Sequence, residues 1–285
     1  MTDATALADF LIAHARVTVL TGAGISTGSG IPDYRDQDGK WKHAKPMQFA
    51  EFKGTIAGRR RYWARSFIGW QRMSTADPNP AHRALAELEH RDRIDTLVTQ
   101  NVDGLHSRAG SERVVDLHGR LDQVVCLDCG WGEDRPSWQT RLEAANPEWN
   151  QVVIAWKPDG DAVLADDDTS RFDVPPCPSC GGIVKPDVVF FGENVPKERV
   201  TAGYEAVERS DGLLVIGSSL MVFSGLRFPR RARELGKPIA IINRGRTRAD
   251  ELAALRLDED CATALNAALA ILGGAIHEPG QQRDA

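Results

Sequence analysis

The chain has no apolar run approaching the roughly 20 residues that span a bilayer, and its longest, such as Leu213-Leu214-Val215-Ile216, have the length of a buried strand. This argues against a helical membrane protein. It also lacks a basic excess. Lys and Arg total 35 against 40 Asp and Glu, and the formal net charge of −5 argues against a general nucleic-acid binder. The opening Met1-Thr2-Asp3-Ala4-Thr5 has no basic n-region and no arginine-rich presequence, so no export or transit signal is expected. No internal repeat or low-complexity tract interrupts it. Cysteine is scarce, at five residues, and the pairing of four of them suits metal binding in a reducing, cytoplasmic compartment rather than disulfides. What remains is a soluble globular composition, 42% hydrophobic and 26% charged. At 285 residues the chain buries a large core in one or two domains.

The four paired cysteines are Cys126 with Cys129 and Cys177 with Cys180. Two thiolates at i and i+3 hold one side of a Zn²⁺ ion, and a second pair completes the tetrahedron. Gly130 and Gly181 follow the two pairs directly. A structural zinc is expected, because four sulfur ligands leave no position open for water or substrate. Residues 130–176 between the pairs are more than a compact zinc ribbon needs. The acidic stretch Asp159–Asp168 inside that span reads as a solvated loop.

Around this module, apolar segments alternate with helical ones. Helices are expected over 5–15, 59–70, 81–89, 197–209, 226–235 and 262–272. Strands are expected over 17–20, 94–99, 114–117, 187–191, 212–216 and 238–242. Such alternation predicts an α/β fold with a Rossmann-type parallel sheet covered by helices on both faces. Residues 1–35, 91–120 and 187–275 are assigned to it. A smaller domain comes from two insertions, the helical segment 36–90 and the zinc module 121–186, and 276–285 reads as a flexible tail.

In such sheets ligands bind outside the carboxyl ends of the strands, and candidate residues stand at five of those ends. After the first strand, Gly22, Ala23 and Gly24 let backbone amides approach a pyrophosphate, with the following helix N-terminus favouring an anion. The pattern departs from Gly-x-Gly-x-x-Gly, since Gly28 is the next glycine, so a plain tight turn also fits. No Walker lysine-serine pair follows, which argues against a nucleoside triphosphatase. Asp33 and Arg35 fit a surface ion pair or a ligand contact. Gln100, Asn101 and Asp103 suit bonding to a ribose or carboxamide, or an Asx-type cap. His118 closes a strand beside the glycine loop and is the candidate general base, having an ordinary pKa of about 6.5. His82 and His106 fall on helix-forming stretches, where packing or capping is expected.

Taken together, these motifs resemble the sirtuin family of NAD-dependent protein deacylases. The matching segments are Gly22–Ser26, Gly30–Arg35, Thr99–His106, Leu117–Gly119, the cysteine pairs, Lys185–Glu193 and Gly217–Leu220, in the family's order across nearly the whole chain. Tyr34, Arg61–Arg65, Pro78–His82 and Pro158–Asp161 look like the class II branch, which includes a mitochondrial sirtuin linked to lipoamidase, deacylase and ADP-ribosyl-transfer activities. The resemblance implies NAD as cosubstrate, acyl-lysine proteins as partners and action as a monomer. It implies that Gly22, Ala23, Gly24 and Ser26 bind the diphosphate side, while Ile31, Asp33 and Arg35 help hold the nicotinamide end. Gln100, Asn101, Val102 and Asp103 would surround the nicotinamide ribose, with Asn101 acting in catalysis beside His118. Gly217, Ser218 and Ser219 would bind the phosphate and ribose region, and Asn243, Arg244, Gly245 and Cys261 the adenosine side. Val189, Phe190 and Phe191 would line the acyl-lysine tunnel, and Gly192 and Glu193 would pair with substrate backbone.

In the implied reaction the acyl oxygen attacks C1′ of the ribose, nicotinamide leaves, and His118 removes a proton through the ribose hydroxyls. The products are lysine, nicotinamide and O-acyl-ADP-ribose. Tyr62 and Arg65 lie three apart on one helix face, and the resemblance to desuccinylating sirtuins implies that they read acidic or branched acyl groups in preference to acetyl. ADP-ribosyl transfer to protein from the same site is the alternative activity. From other classes, a zinc-containing dehydrogenase and a non-catalytic zinc module also stand as readings.

Overall fold

The computed structural model describes residues 3–42, 46–157, 159–165 and 168–275. The expected tail at 276–285, the opening two residues and Pro158 lie outside the described residues.

Six short strands form one parallel sheet: β1 (Val17–Thr21), β2 (Ile94–Thr99), β3 (Val114–Asp116), β9 (Gly212–Ile216), β10 (Ile239–Ile242) and β11 (Leu255–Leu257). Their order is β11-β10-β9-β1-β2-β3, and every pairing is parallel. The chain therefore runs outward from β1 in both directions. The loops leaving β1, β2 and β9 diverge at one crevice, where a doubly wound sheet binds its ligand.

The period-2 geometry of a strand divides the core into two halves. Val17, Val19, Leu214, Ile216, Ala240 and Ile242 point to one face, under α1 (Asp3–Ala13), α4 (Pro80–His90) and α9 (Cys261–Ala275). Leu20, Leu213, Val215, Ile239 and Ile241 point to the other, under α7 (Lys197–Arg209) and α8 (Phe223–Glu234). The expected fold class is thus observed.

The remaining elements make a smaller lobe: α2 (Phe49–Gly54), α3 (Ile56–Thr75), α6 (Arg135–Ala145), an antiparallel sheet and a hairpin. The sheet has order β5-β4-β8, from β4 (Gly119–Cys126), β5 (Gly132–Asp134) and β8 (Val184–Val188). The hairpin pairs β6 (Val153–Trp156) with β7 (Ala162–Leu164). One short helix, α5 (Leu105–Arg108), follows β2.

Two expectations are corrected. The strand placed over 187–191 is Val184–Val188, and it pairs antiparallel with β4 instead of joining the parallel sheet. Its continuation is turned away, with Phe191 bridging to Gln48 and Gly192 left-handed at φ 80°. The glycine loop also leads into a seven-residue 3₁₀ segment, Ala23–Ser29, not an α-helix. Loop amides, and not a long helix dipole, are what that corner offers an anion.

Candidate active site

A cavity of about 350 Å³ opens at the carboxyl ends of β1, β2, β3, β9 and β10. It gathers Gly22, Ala23, Gly24, Ser26, Ile31, Asp33, Arg35, Gln100, Asn101, Val102, Asp103 and His118 from the first half of the chain. Val189, Phe190, Phe191, Gly192, Glu193, Gly217, Ser218, Ser219, Asn243 and Arg244 join them from the second half, and Tyr62 from α3.

The glycine loop is pressed against the loop after β9. A Cβ on Gly22 would lie 2.7 Å from the Ser218 Cβ, and one on Gly24 would lie 2.8 Å from the Gly217 carbonyl oxygen. Gly24 N donates to that carbonyl at 2.8 Å. Glycine is required there for backbone approach, the use such loops make of it beside a phosphate.

Behind this loop lies a buried polar network. Asn101 Nδ2 donates to the Gly22 carbonyl at 3.1 Å and to Ser26 Oγ at 3.0 Å. Ser26 Oγ donates in turn to Asp103 Oδ2 at 2.7 Å. Burial raises the Asp103 pKa, while bonds from the Leu105 amide and Ser26 oppose that rise. His82 accepts from the Asn79 amide at Nδ1, completing a capping box at the start of α4, and lies 3.5 Å from Ser26 Oγ through Nε2. His106 Nε2 lies 2.9 Å from Thr21 Oγ1. Both histidines thus have the packing and capping placements expected of them.

His118 differs. Its Nδ1 lies 2.8 Å from the Gln100 carbonyl oxygen, which only accepts, so Nδ1 carries the proton. Nε2 then presents its lone pair, 2.8 Å from the Ser224 hydroxyl, which also lines the cavity. Desolvation pulls the His118 pKa from 6.5 down to about 4, against the opposing effect of the Gln100 carbonyl. The imidazole is neutral at physiological pH and holds an acceptor nitrogen toward the cavity, as a general base must.

The far wall is aromatic and acidic. The Tyr62 and Phe190 rings lie 5.1 Å apart, and Phe190 also packs on Phe52 at 4.9 Å. Asp159 and Asp161 line the same wall, from the turn between β6 and β7. This corrects the expectation of a solvated loop for the start of the Asp159–Asp168 stretch, since Asp161 is only 4% exposed, while Asp168 is exposed as expected. Arg65 is not among the lining residues and interacts electrostatically with both carboxyls instead. A wall presenting two carboxyls is a poor receptor for an acidic acyl group, so that part of the expected preference is withdrawn.

The other expected contacts divide. Asp33 pairs with Lys42 at 2.5 Å and not with Arg35. Arg35 donates to the Gly39 carbonyl at 2.8 Å and lies 3.9 Å from the Trp41 ring centroid. Gly245 and Cys261 lie outside the cavity lining. The Gly245 amide donates to Asp258, and Cys261 belongs to the core under α9, where burial pushes its thiol up to about 12. The Glu193 carboxylate already accepts from the Phe190 amide at 2.9 Å and from Lys185 at 3.4 Å.

The four cysteine sulfurs lie within 4.8 Å of one another, with Cys126 to Cys180 at 3.5 Å and Cys129 to Cys177 at 3.8 Å. A tetrahedral zinc with Zn–S bonds of about 2.3 Å needs sulfurs about 3.8 Å apart, so the set fits the ion. Left-handed Gly130 (φ 73°) and Gly181 (φ 77°) turn the two knuckles.

The Sir2 family model matches residues 22–224. This chain belongs to the Sir2 family. It is 56% identical over 261 residues to an NAD-dependent protein deacetylase of Bordetella bronchiseptica, covering 92% of this chain and 95% of that one. A deacetylase of the same description from Xanthomonas axonopodis is 54% identical over 263 residues, covering 92% and 90%. A solved Sir2 structure with a p53 peptide and NAD+ superposes with a TM-score of 0.75 at 30% identity, covering 97% of this chain and all of the other.

Within this Sir2 chain, sequence reasoning missed Ser224, Asp159 and Asp161. The two aspartates matched the class II branch and otherwise read as solvated charge, with no place in the site. A lone serine inside a helix carries no signal until the fold brings it to His118.

Proposed function

We propose that the chain is an NAD-dependent protein deacetylase that also removes acyl groups longer or more branched than acetyl. The observation that carries the reading is the neutral His118 imidazole, its Nε2 turned into the cavity that the glycine loop also lines. Family membership and the deacetylases named above support the same activity.

In this reading the amides of Gly22–Gly24 and the hydroxyls of Ser218 and Ser219 hold the NAD diphosphate and adjoining ribose, with Asn243 and Arg244 toward adenosine. Asn101 and Asp103 position the nicotinamide ribose, and Ile31 and Asp33 the carboxamide end. Val189, Phe190 and Phe191 guide the acyl-lysine. The acyl oxygen bonds to C1′ as nicotinamide departs. His118 Nε2 accepts the ribose hydroxyl proton, so that oxygen attacks the former acyl carbon. Water completes release of lysine, leaving O-acyl-ADP-ribose. Zinc on the four thiolates braces the smaller lobe and takes no part in bond making.

Acyl chains beyond acetyl are supported by the Tyr62 and Phe190 rings, 5.1 Å apart, that line the cavity. The class II branch belongs to the same reading, supported by Tyr34, Tyr62, Asp159 and Asp161 meeting at that wall. Four reduced thiolates suit the cytoplasm. The chain is proposed to act there as a monomer, which light scattering checks.

The deciding experiment follows nicotinamide release from NAD+ with acetyl, butyryl and lipoyl peptides, for the wild type and His118→Ala. Loss of about 10²–10⁴-fold in turnover is expected for the variant. Full turnover without His118 would refute the assignment of the base. Mass spectrometry separates the reactions, because O-acyl-ADP-ribose forms only on deacylation and ADP-ribosylated protein only on transfer.

A further inference from the structure

The turn between β6 and β7 is built in an unusual way. A hairpin tip reading Asp159-Gly160-Asp161 is ordinarily the most solvated part of its hairpin. Here the tip is folded inward. The backbone closes on itself, with Lys157 N donating to the Asp161 carbonyl at 2.9 Å and Gly160 N to the Lys157 carbonyl at 3.2 Å. Gly160 is left-handed at φ 81°. Its carbonyl oxygen lies where a side chain on Gly69 of α3 would have to go, so the helix has room for the turn only because residue 69 is glycine.

This packing delivers Asp161 to the cavity. The residue is 4% exposed and lines the cavity, and its Oδ1 has no hydrogen-bond partner. A buried acceptor left unsatisfied costs about 1–3 kcal/mol, more when charged, so a partner for it would be favoured. The ionisable groups interacting with Asp161 are Asp159 and Lys157 on its own turn, Tyr62, Arg65 and Arg61 on α3, and Tyr34 after the glycine loop. The cations Lys157, Arg65 and Arg61 do not line the cavity, so the carboxyls and not the cations face it. The site therefore calls for a neutral hydrogen-bond donor and repels a further carboxylate. Desolvation and the neighbouring Asp159 raise the Asp161 pKa.

Resting on the proposed deacylase reading, we infer that Asp161 is a specificity-determining residue, accepting a hydrogen bond from a hydroxyl carried on the acyl chain of the substrate. Phe190 and Tyr62, with ring centroids 5.1 Å apart, line the same cavity as Asp161. Acyl groups bearing a hydroxyl near their end are then preferred over alkyl groups of the same length, and glutaryl-type groups are disfavoured. The hydroxyl supplies the partner that Oδ1 lacks, and a plain alkyl chain leaves that oxygen unsatisfied.

The test uses the full chain with 3-hydroxybutyryl and butyryl versions of one peptide. Two readouts are taken, the kcat/KM ratio from nicotinamide release and the Kd ratio from calorimetry without NAD+. Wild type is expected to favour the hydroxylated peptide about tenfold. Asp161→Leu should bring the ratio to about one, and Asp161→Asn, which keeps the shape and one acceptor oxygen, should reduce it less. If Asp161→Leu fails to fold, the Asn variant and the wild-type ratio decide. A wild-type ratio near one, or a ratio unchanged in every folded variant, overturns the inference. Failure of the deacylase reading looks different: no peptide releases nicotinamide, and the Kd ratio then decides alone.

Discussion

The parallel sheet and the cysteine lobe solve the problem of staying folded by opposite means. Every strand of β1, β9 and β10 is fully buried, and its side chains alternate between two helix-covered cores. The lobe has strands of three to eight residues, and among its largest buried side chains are Trp63, Trp138, Phe52, Phe172 and the cation Arg135. Arg135 sits 5.4 Å from the Trp63 ring and donates to Gln139 at 2.6 Å. Two of the four cysteines, Cys126 and Cys177, are part of that aromatic core. The sheet thus depends on area removed from water, whereas the lobe adds to its aromatic core a few directional contacts and four thiols placed for a metal crosslink. The cavity between them takes its nucleotide-type loops from the first and its aromatic wall from the second.

The most severe way to break this contrast is Cys177→Ser. Structural zinc contributes about 10–16 kcal/mol in isolated finger peptides. Hydrogen exchange should therefore show β4, β5 and β8 losing protection while β1, β9 and β10 keep theirs, and zinc content should fall. Equal loss in both regions would mean that the two are one cooperative unit. On the sheet side, Gly24→Ala forces a Cβ against the Gly217 backbone. It should cost about 1–3 kcal/mol in urea unfolding, with the cysteine lobe's zinc content unchanged.

A pH experiment separates the buried histidines from the carboxyls. Burial, aided by Arg83, lowers His82 from 6.5 to about 4. The unfolded chain therefore takes up the proton first, and the stability from keeping His82 neutral is full above pH 6.5 and lost as pH falls toward 4. The raised carboxyls Asp159 and Asp161 have the opposite sign, because the folded chain binds their protons first. Comparison with His82→Gln isolates the histidine: from pH 7 to pH 5 the wild type should lose about 2 kcal/mol more than the variant. The smallest effect is expected at Ser224→Ala. Losing the hydroxyl on His118 Nε2 removes about 1 kcal/mol of positioning. The expected result is a few-fold lower kcat with KM nearly unchanged and a displaced acid limb in the pH profile.

Much of this was legible from the chain. Five of the six parallel strands announce themselves as short apolar runs, and most of the residues at their carboxyl ends line one cavity, Gly245 excepted. Leu255–Leu257 escaped notice because three residues with Arg256 between two leucines carry no strand signal, and a sheet edge supplies what the pattern lacks. Asp187–Phe191 misled because an apolar run states burial but not partner, and its partner is β4. The inward turn at Asp161 was invisible for a related reason. Charge predicts solvation only where nothing packs on it, and Gly69, which admits the turn, is distant in sequence.

Strand β4 starts at Gly119, the residue after His118, and ends at Cys126. The His118 carbonyl accepts from Val189 at 2.8 Å, just beyond β8. The proposed base and a candidate metal ligand thus flank one strand of eight residues, which β8 holds at both ends, Gly119 on Val188 and Val124–Cys126 on Pro186–Val184, with an irregular stretch between. Mechanically the strand links the two sites. On the proposed reading, play at the thiolate end would reach the imidazole as misalignment, so a metal remote from substrate would bear on the aim of the base.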